Sequence, residues 1–149
     1  MAEHILERRQ IINRPIEEVF EFFCDATNLE IITPPELNFQ IITPLPIEMK
    51  RGTLIDYRLK LRGIPLRWRT EITEWNPPYS FVDTALKSPY KQWIHLHRFT
   101  QDNGKTIMED IVRYRLPFEP LGDLAHFYVK RELKYIFDYR QKKISEIFS

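Results

Sequence analysis

Residues 93–114 of the sequence read WIHLHRFTQDNGKTIMEDIVRY, two runs that alternate apolar and polar residues on either side of an Asn-Gly pair. Asn103 and Gly104 are the strongest short-range signal for a β-hairpin, because both residues tolerate the positive φ angles of a type I′ turn. The stretch therefore predicts two long antiparallel strands, Tyr90–Gln101 and Lys105–Leu116.

The register of this hairpin follows from its turn, since Asp102 must pair with Lys105 and the ladder then runs back residue by residue. One face carries Phe99 opposite Met108, His97 opposite Asp110, His95 opposite Val112 and Trp93 opposite Tyr114. The other face carries Arg98 opposite Glu109, Leu96 opposite Ile111 and Ile94 opposite Arg113. The first face holds more large apolar side chains, and the second holds an ion pair typical of a solvated or partly covered face. We therefore predict that the first face lies inside the protein.

Three polar residues, His95, His97 and Asp110, then lie on an apolar inner wall. Such groups must be hydrogen-bonded, since a buried unpaired polar group costs about 1–3 kcal/mol. Two interpretations stay open. In one, His97 and Asp110 form a structural cross-strand pair, and His95 bonds to backbone or water. In the other, one or both imidazoles face a ligand, either as orienting groups or as a proton-transfer dyad in which Asp110 holds the tautomer.

A second hairpin is predicted at Arg62 and Gly63, between the strands Thr53–Leu61 and Ile64–Trp75. With these two residues as the loop, Tyr57 faces Trp68 and Leu59 faces Leu66 on the inner side, which Thr70 shares, while Asp56 meets Arg69 outside. This one register thus pairs apolar residues with each other on the inner face and opposite charges on the outer face.

The remaining segments complete an α+β pattern. Turn and alternation signals predict strands at His4–Asn13, Leu37–Thr43 and Tyr79–Leu86, a short helix opening at Pro15, a second from Asp25 to about Ile32, and a long helix from Leu121 or Asp123 to Phe148. Consecutive strands with short turns pair antiparallel, and one face of the sheet needs the long helix as its cover. We expect a single domain over residues 1–149, in which a curved seven-stranded sheet grips the long helix.

Composition excludes several classes of function. The charges nearly cancel, with 22 basic and 21 acidic residues, and no basic run or phosphate-binding loop indicates a nucleic-acid partner. One cysteine, Cys24, excludes an internal disulfide. The first residues lack a signal-peptide pattern, and no apolar run approaches the roughly 20 residues of a membrane span. We expect a cytoplasmic protein with no integral membrane segment. A metal site would need a third ligand beside His95 and His97, and His4 and His126 are distant in sequence, so we expect no metal and no cofactor.

Several motifs resemble the START-like, Bet v 1-like superfamily, also called SRPBCC, and its small bacterial ligand-binding or cyclase/dehydrase-like branch. They are Pro15–Phe23, Asn28-Leu29, Ile32–Pro35, Gly63–Pro65, Pro77-Pro78, Phe81–Asp83, Pro89-Tyr90, Trp93–Phe99, Asp110, Tyr114 and Leu116-Pro117. The resemblance implies the helix-grip fold, with two short helices and one long C-terminal helix, and an internal cavity for hydrophobic or amphipathic ligands. It implies no particular reaction, because the superfamily includes lipid carriers, hormone receptors and aromatic polyketide cyclases.

The leading hypothesis is therefore a protein that binds a hydrophobic small molecule, such as a lipid or polyketide, for transport or sequestration. The predicted ligand-binding residues are Tyr57, Trp68, Thr70, Trp93, His95, His97, Phe99, Met108, Tyr114, Tyr128 and Leu133. Aromatic residues with a polar tip are the better candidates, because a buried hydroxyl or indole N–H needs a partner.

The alternative is a polyketide cyclase or dehydratase-like enzyme working in the same cavity. Its catalytic candidates are His95, His97 and Asp110, with Tyr57 or Arg69 polarising a carbonyl, although the predicted register places Arg69 outside. A third class, an interaction module acting through the sheet edge or the basic helix face, has less support, since charge on an exposed helix is usually solvation. The oligomeric state is not encoded in any pattern of the sequence.

Overall fold

The computed structural model describes residues 3–118 and 121–149. Its strands are β1 (His4–Ile12), β2 (Gln40–Ile41), β3 (Leu54–Leu61), β4 (Ile64–Asn76), β5 (Ser80–Lys87), β6 (Gln92–Asp102) and β7 (Lys105–Arg115). Its helices are α1 (Ile16–Phe23), α2 (Asn28–Ile31) and α3 (His126–Ile147), with 3₁₀ turns at Pro35–Leu37 and Leu121–Ala125. Within the residues described, no helix is both long enough and apolar enough to span a membrane.

The strands form one curved antiparallel sheet in the order β1-β7-β6-β5-β4-β3-β2. Strands β2 to β7 follow one another as a meander, and β1 pairs with β7. The sheet and the long C-terminal helix packed on it confirm the predicted α+β helix-grip architecture.

Both predicted hairpin registers are confirmed. Asn103 and Gly104 have φ angles of 50° and 78°, and every facing pair predicted between β6 and β7 is present. The pair Arg62 and Gly63 repeats this geometry, with φ angles of 52° and 77°. Tyr57 accordingly faces Trp68, and Asp56 bonds to Arg69 on the outer side at 2.8 Å.

The strand predicted at Leu37–Thr43 is present but shorter, over Gln40–Ile41. Pro34 and Pro35 begin a 3₁₀ turn, and Asn38 adopts the left-handed conformation at φ 49°, so the strand starts only at Gln40. After Ile41, the backbone N–H groups of Ile42 and Thr43 both donate to the carbonyl of Asp56. The second helix is also shorter than predicted, because the Asp25 carboxylate accepts hydrogen bonds from Thr27 and holds a turn in front of α2.

The long helix begins at His126, later than the predicted start at Leu121 or Asp123. Residues Leu121–Ala125 form a 3₁₀ turn and not the first α-helical turn. From there α3 continues to Ile147, one residue before the predicted end.

Two apolar clusters pack between the sheet and its helices. One includes Ile16, Phe20, Phe23, Phe81, Phe99, Met108 and Ile144, and the other includes Leu59, Trp68, Trp93, Tyr114, Leu133 and Phe137. The inner-face histidines join them, because His97 contacts the rings of Phe23 and Phe81, while His95 contacts those of Trp93 and Phe137. The polar residues predicted on the inner wall therefore lie where the two clusters meet.

Candidate ligand-binding cavity

A cavity of about 180 Å³ lies between α3, the α1–α2 segment and the sheet. Its apolar wall includes Phe22, Phe23, Ala26, Leu29, Leu59, Trp68, Trp93, Leu133, Ile136 and Phe137, and its charged or imidazole groups include Asp83, His95, His97 and Arg140. A mostly apolar pocket with a few converging polar groups is the usual form of a small-molecule site.

Most of the predicted ligand-binding residues lie in this wall. They are Tyr57, Trp68, Thr70, Trp93, His95, His97 and Leu133. They come from β3, β4, β6 and α3, as expected from the alternation on the strands and the helical spacing. Contact of these residues with a ligand remains a prediction.

The other predicted residues, Phe99, Met108, Tyr114 and Tyr128, are not part of the wall. Phe99 and Met108 are buried in the apolar cluster that contains Phe20, at 2% and 1% exposure. The Tyr114 hydroxyl bonds to Nε2 of His126 at 2.8 Å, and Tyr128 is half-exposed beneath the guanidinium of Arg62. Strand alternation identifies the inner face, but it does not show where along that face the core ends and the cavity begins.

A small hydrogen-bonded network stiffens the aromatic part of the wall. Nε1 of Trp68 donates to Oγ1 of Thr70 at 3.0 Å, and the Tyr57 hydroxyl lies 3.1 Å from the same oxygen. Burial, together with the negative charge of Asp83, raises the pKa of Tyr57, so its hydroxyl stays protonated. The polar atoms of these three side chains are thus hydrogen-bonded to one another within the wall.

The two inner histidines make crossed hydrogen bonds. His95 and His97 stack with their ring centres 3.7 Å apart. Backbone pairing sets His95 opposite Asp83 and His97 opposite Asp110, yet His95 Nε2 bonds to Asp110 at 2.8 Å and His97 Nε2 to Asp83 at 2.6 Å. Each ring therefore bonds to a carboxylate diagonally across from it, His95 to Asp110 on β7 and His97 to Asp83 on β5.

This arrangement corrects the structural interpretation of the sequence. Register neighbours His97 and Asp110 are 3.5 Å apart at Nδ1 and Oδ1, and the shorter bond of Asp110 goes to His95. His95 thus bonds to a carboxylate and not to backbone.

Two members of this hydrogen-bonded cluster were not predicted from the sequence, Asp83 on β5 and Arg140 on α3. Arg140 is 7% exposed, and its Nη2 donates to Oδ1 of Asp110 at 3.2 Å and to Nδ1 of His97 at 3.4 Å. Helical spacing could have revealed it, because Arg140 lies three residues after Phe137 and four before Ile144 on the apolar stripe. Asp83 carried a comparable signal, since it shares a strand face with Phe81.

The contacts assign the protonation of His97. Its Nδ1 accepts from Arg140, so the ring hydrogen is on Nε2 and is donated to Asp83. Burial, reinforced by the nearby His95, lowers the pKa of His97 to about 4, despite the opposing effect of Asp83. His97 is therefore a neutral bridge between a guanidinium and a carboxylate at neutral pH.

Asp83 and Asp110 are both ionised. Burial alone would raise the pKa of Asp110, but the charge of Arg140 and the bond from His95 outweigh it and hold that pKa well below its usual range. Burial would also raise the pKa of Asp83, but the neighbouring imidazole of His95, the hydrogen bond from His97 and the charge of Arg140 outweigh it and lower that pKa. Because an ionised carboxylate can only accept, the hydrogen between His95 and Asp110 is on His95 Nε2.

Asp83, His95 and His97 also offer ligand atoms within 4.8 Å of one another, a spacing compatible with a metal ion. However, Asp83 and His97 use their candidate ligand atoms on each other, at 2.6 Å. The Arg140 cation also lies 3.4 Å from the other nitrogen of His97. These contacts favour a hydrogen-bonded cluster over a metal site.

Comparison with known proteins identifies the fold. No protein-family model and no curated protein matches the sequence. Among solved structures, the Zhui aromatase/cyclase from Streptomyces sp. R1128 superposes with a TM-score of 0.77 and 13% identity over 97% of this chain and 93% of that chain. Ginseng major latex-like protein 151 from Panax ginseng superposes with a TM-score of 0.67 and 13% identity over 98% of this chain and 97% of that chain. Ara h 8.0201 superposes with a TM-score of 0.62 and 15% identity over 96% of this chain and 98% of that chain. Likeness at these identities concerns architecture, and the chain has the helix-grip fold of the START-like, Bet v 1-like superfamily that its sequence motifs resemble.

Proposed function

We propose that the protein binds a hydrophobic small molecule in the cavity beneath α3. The observation that carries the proposal is the cavity itself, about 180 Å³ of space within a wall dominated by aromatic and aliphatic side chains. Atoms that line a void lose dispersion contacts, and an apolar void is poorly hydrated. An apolar guest restores these contacts and removes its own surface from water, at about 25 cal/mol per Å².

The size of the cavity favours a compact guest. An apolar cavity of about 150 Å³ takes up benzene in other proteins, and the cavity here is about 180 Å³. The space therefore suits one or two fused rings better than a long acyl chain. One protein of the same fold is named an aromatase/cyclase, which supports an organic ring compound as the guest.

Calorimetric titration with naphthalene tests the proposal, together with a variant that fills the space. Ala26 lies in the wall and is 5% exposed, so Ala26→Leu projects three further carbon atoms into the cavity. We expect the wild-type protein to bind naphthalene and Ala26→Leu to bind it at least tenfold more weakly. The control is Ala125→Leu, the same change at an exposed position before α3.

Native mass spectrometry of protein purified from cell extract supplies the second measurement. A retained hydrophobic molecule, lost in Ala26→Leu, would identify the guest directly. Equal binding of naphthalene by both alanine variants, or its failure to bind the wild-type protein, would contradict the proposal.

Acid–base catalysis on the bound molecule is a second candidate, favoured by the geometry of His95. Asp110 accepts the hydrogen of His95 Nε2 at 2.8 Å, which leaves Nδ1 as the basic atom, and this ring lines the cavity. His97 is less suited to the role, because both of its nitrogens are already bonded.

The variant His95→Gln separates the two candidates. In an enzyme, conversion of the retained molecule stops while its affinity stays within about tenfold. In a binding protein, the variant changes affinity alone, and the wild-type protein leaves the molecule unchanged by mass spectrometry.

A further inference from the structure

Asp83 is the member of the buried polar cluster most open to the cavity. Its side chain is 18% exposed, against 3% for His97 and 10% for Asp110, and it forms part of the cavity wall. Its Oδ2 accepts the N–H of His97 at 2.6 Å, and among the described residues no hydrogen bond reaches Oδ1. Because a carboxylate has about four acceptor positions, Asp83 keeps unused capacity toward the cavity.

The charges of the cluster are unevenly balanced. Arg140 contacts both oxygens of Asp110, at 3.2 and 3.4 Å, and so compensates that carboxylate. Asp83 receives a hydrogen bond only from His97, whose ring is neutral because its other nitrogen accepts from Arg140. His95 Nδ1 is 3.8 Å from Asp83, too far for a hydrogen bond. Asp83 is thus a carboxylate on an apolar cavity wall that has no directly bonded cation among the residues described.

We propose that the bound molecule carries a hydrogen-bond donor, a hydroxyl or a protonated amino group, and donates it to the carboxylate of Asp83. The inference rests on the proposed binding function and names the chemical class of the guest. A donor placed there gains a bond to a charged acceptor, which improves affinity by about tenfold to a hundredfold. An acidic group would instead bring a second negative charge beside Asp83, and this repulsion excludes carboxylic acids of the same shape.

Ring compounds that differ in one substituent test the inference at pH 7.5. The probes are naphthalene, the two naphthols, 1-naphthylmethylamine and 1-naphthoic acid, each titrated calorimetrically into the wild-type protein. We expect the better naphthol and the amine to bind at least tenfold more tightly than naphthalene, and the acid to bind more weakly. Both naphthol isomers are used so that the position of the hydroxyl on the ring does not decide the result.

The variant Asp83→Asn provides the second arm. The amide oxygen keeps the hydrogen bond from His97, so the new NH₂ group is directed to the cavity and offers a donor in place of an acceptor. The advantage of the naphthol and the amine over naphthalene should fall to within about twofold, and the acid should bind better than it does to the wild-type protein. Asp56→Asn, the same substitution at a carboxylate paired with Arg69 on the outer face, should leave the order of affinities unchanged.

The outcomes separate the inference from the function on which it rests. If none of the probes binds the wild-type protein, the proposed function fails and the inference fails with it. If naphthalene binds but neither naphthol nor the amine binds more tightly, the function stands and the inference is wrong. Tightest binding by the acid, lost in Arg140→Met, would assign recognition to the guanidinium and also overturn it. Should Asp83→Asn fail to fold, the wild-type series alone gives these results.

Discussion

His95 and His97 differ in chemistry although they share a strand face and stack on each other. Both nitrogens of His97 are bonded, one to Arg140 and the other to Asp83, so its ring can neither gain nor lose a proton without breaking a contact. His95 has one strong bond, to Asp110, and its second nitrogen is free of any close partner among the described residues. His97 therefore stabilises the cluster, and His95 is the ring that keeps one nitrogen without a hydrogen bond among the described residues.

The bonding of His97 predicts how stability depends on pH. Its pKa is about 4 in the folded protein and about 6.5 in an unfolded chain. Between these values the unfolded chain binds a proton that the folded chain does not, so stability falls as pH decreases from 6.5 to 4. We expect the free energy of unfolding to decrease by about 2 kcal/mol between pH 7 and pH 5 from this residue. Urea unfolding at several pH values measures it.

His97→Gln isolates this effect from other titrations. The pKa of His126 is also lowered, by burial and by His4, and acts in the same direction, whereas Asp83 and Asp110 contribute only below about pH 4, the ordinary range of the group. The variant should lose most of the slope between pH 5 and pH 7. An NMR titration that places the pKa of His97 near 6.5 would contradict the prediction.

At the scale of the element, α3 is attached to the sheet by charge as well as by apolar packing. Arg140 occupies a position on the stripe of Leu133, Phe137 and Ile144, where an apolar residue would ordinarily lie. Its bonds to Asp110 connect the helix to β7. Since both ions are buried, each depends on the other for compensation.

Removal of the guanidinium should therefore be costly. We expect Arg140→Leu to lower the free energy of unfolding by about 3–5 kcal/mol, because it leaves the Asp110 charge buried without a counterion. Lys142→Leu, a similar change at an exposed position of the same helix, should cost no more than about 0.5 kcal/mol. Chemical denaturation of both variants gives the comparison.

The double variant Arg140→Leu with Asp110→Leu tests the physical reason. If the cost arises from an uncompensated charge, removing both ions restores part of the lost stability. An additive loss in the double variant would instead attribute the cost to lost packing.

Some elements followed from the sequence because their local signals were complete. Asn103 and Gly104 select one turn type, which sets the register of every pair in β6 and β7. No comparable two-residue turn connects β5 to β6, where four residues lie between Lys87 and Gln92, so the sequence did not predict that Asp83 lies opposite His95. The crossed bonds of the histidines also depend on side-chain rotamers, which backbone register does not determine.

At the scale of the whole molecule, the cavity lies where the inner face changes from core to open space. Phe99 is closed off by Phe20 and Phe23, whereas Trp93 and Trp68 on the same face border the void. The difference depends on how α1 and α3 sit over each part of the sheet, which involves contacts between residues far apart in sequence. Periodicity therefore predicted the inner face but not the limits of the cavity within it.

Because the guest would be enclosed by elements from the whole chain, its binding should stabilise the entire fold. With 1-naphthol at about a hundred times its dissociation constant, the free energy of unfolding should rise by about 2.7 kcal/mol, which corresponds to about 5–10 °C in Tm for a domain of this size. Ala26→Leu occupies the same space, so its Tm should not respond to the ligand, while Ala125→Leu should respond as the wild-type protein does. Thermal denaturation followed by circular dichroism, with and without ligand, measures all three. An equal rise in Ala26→Leu would place the binding site on the surface and not beneath α3.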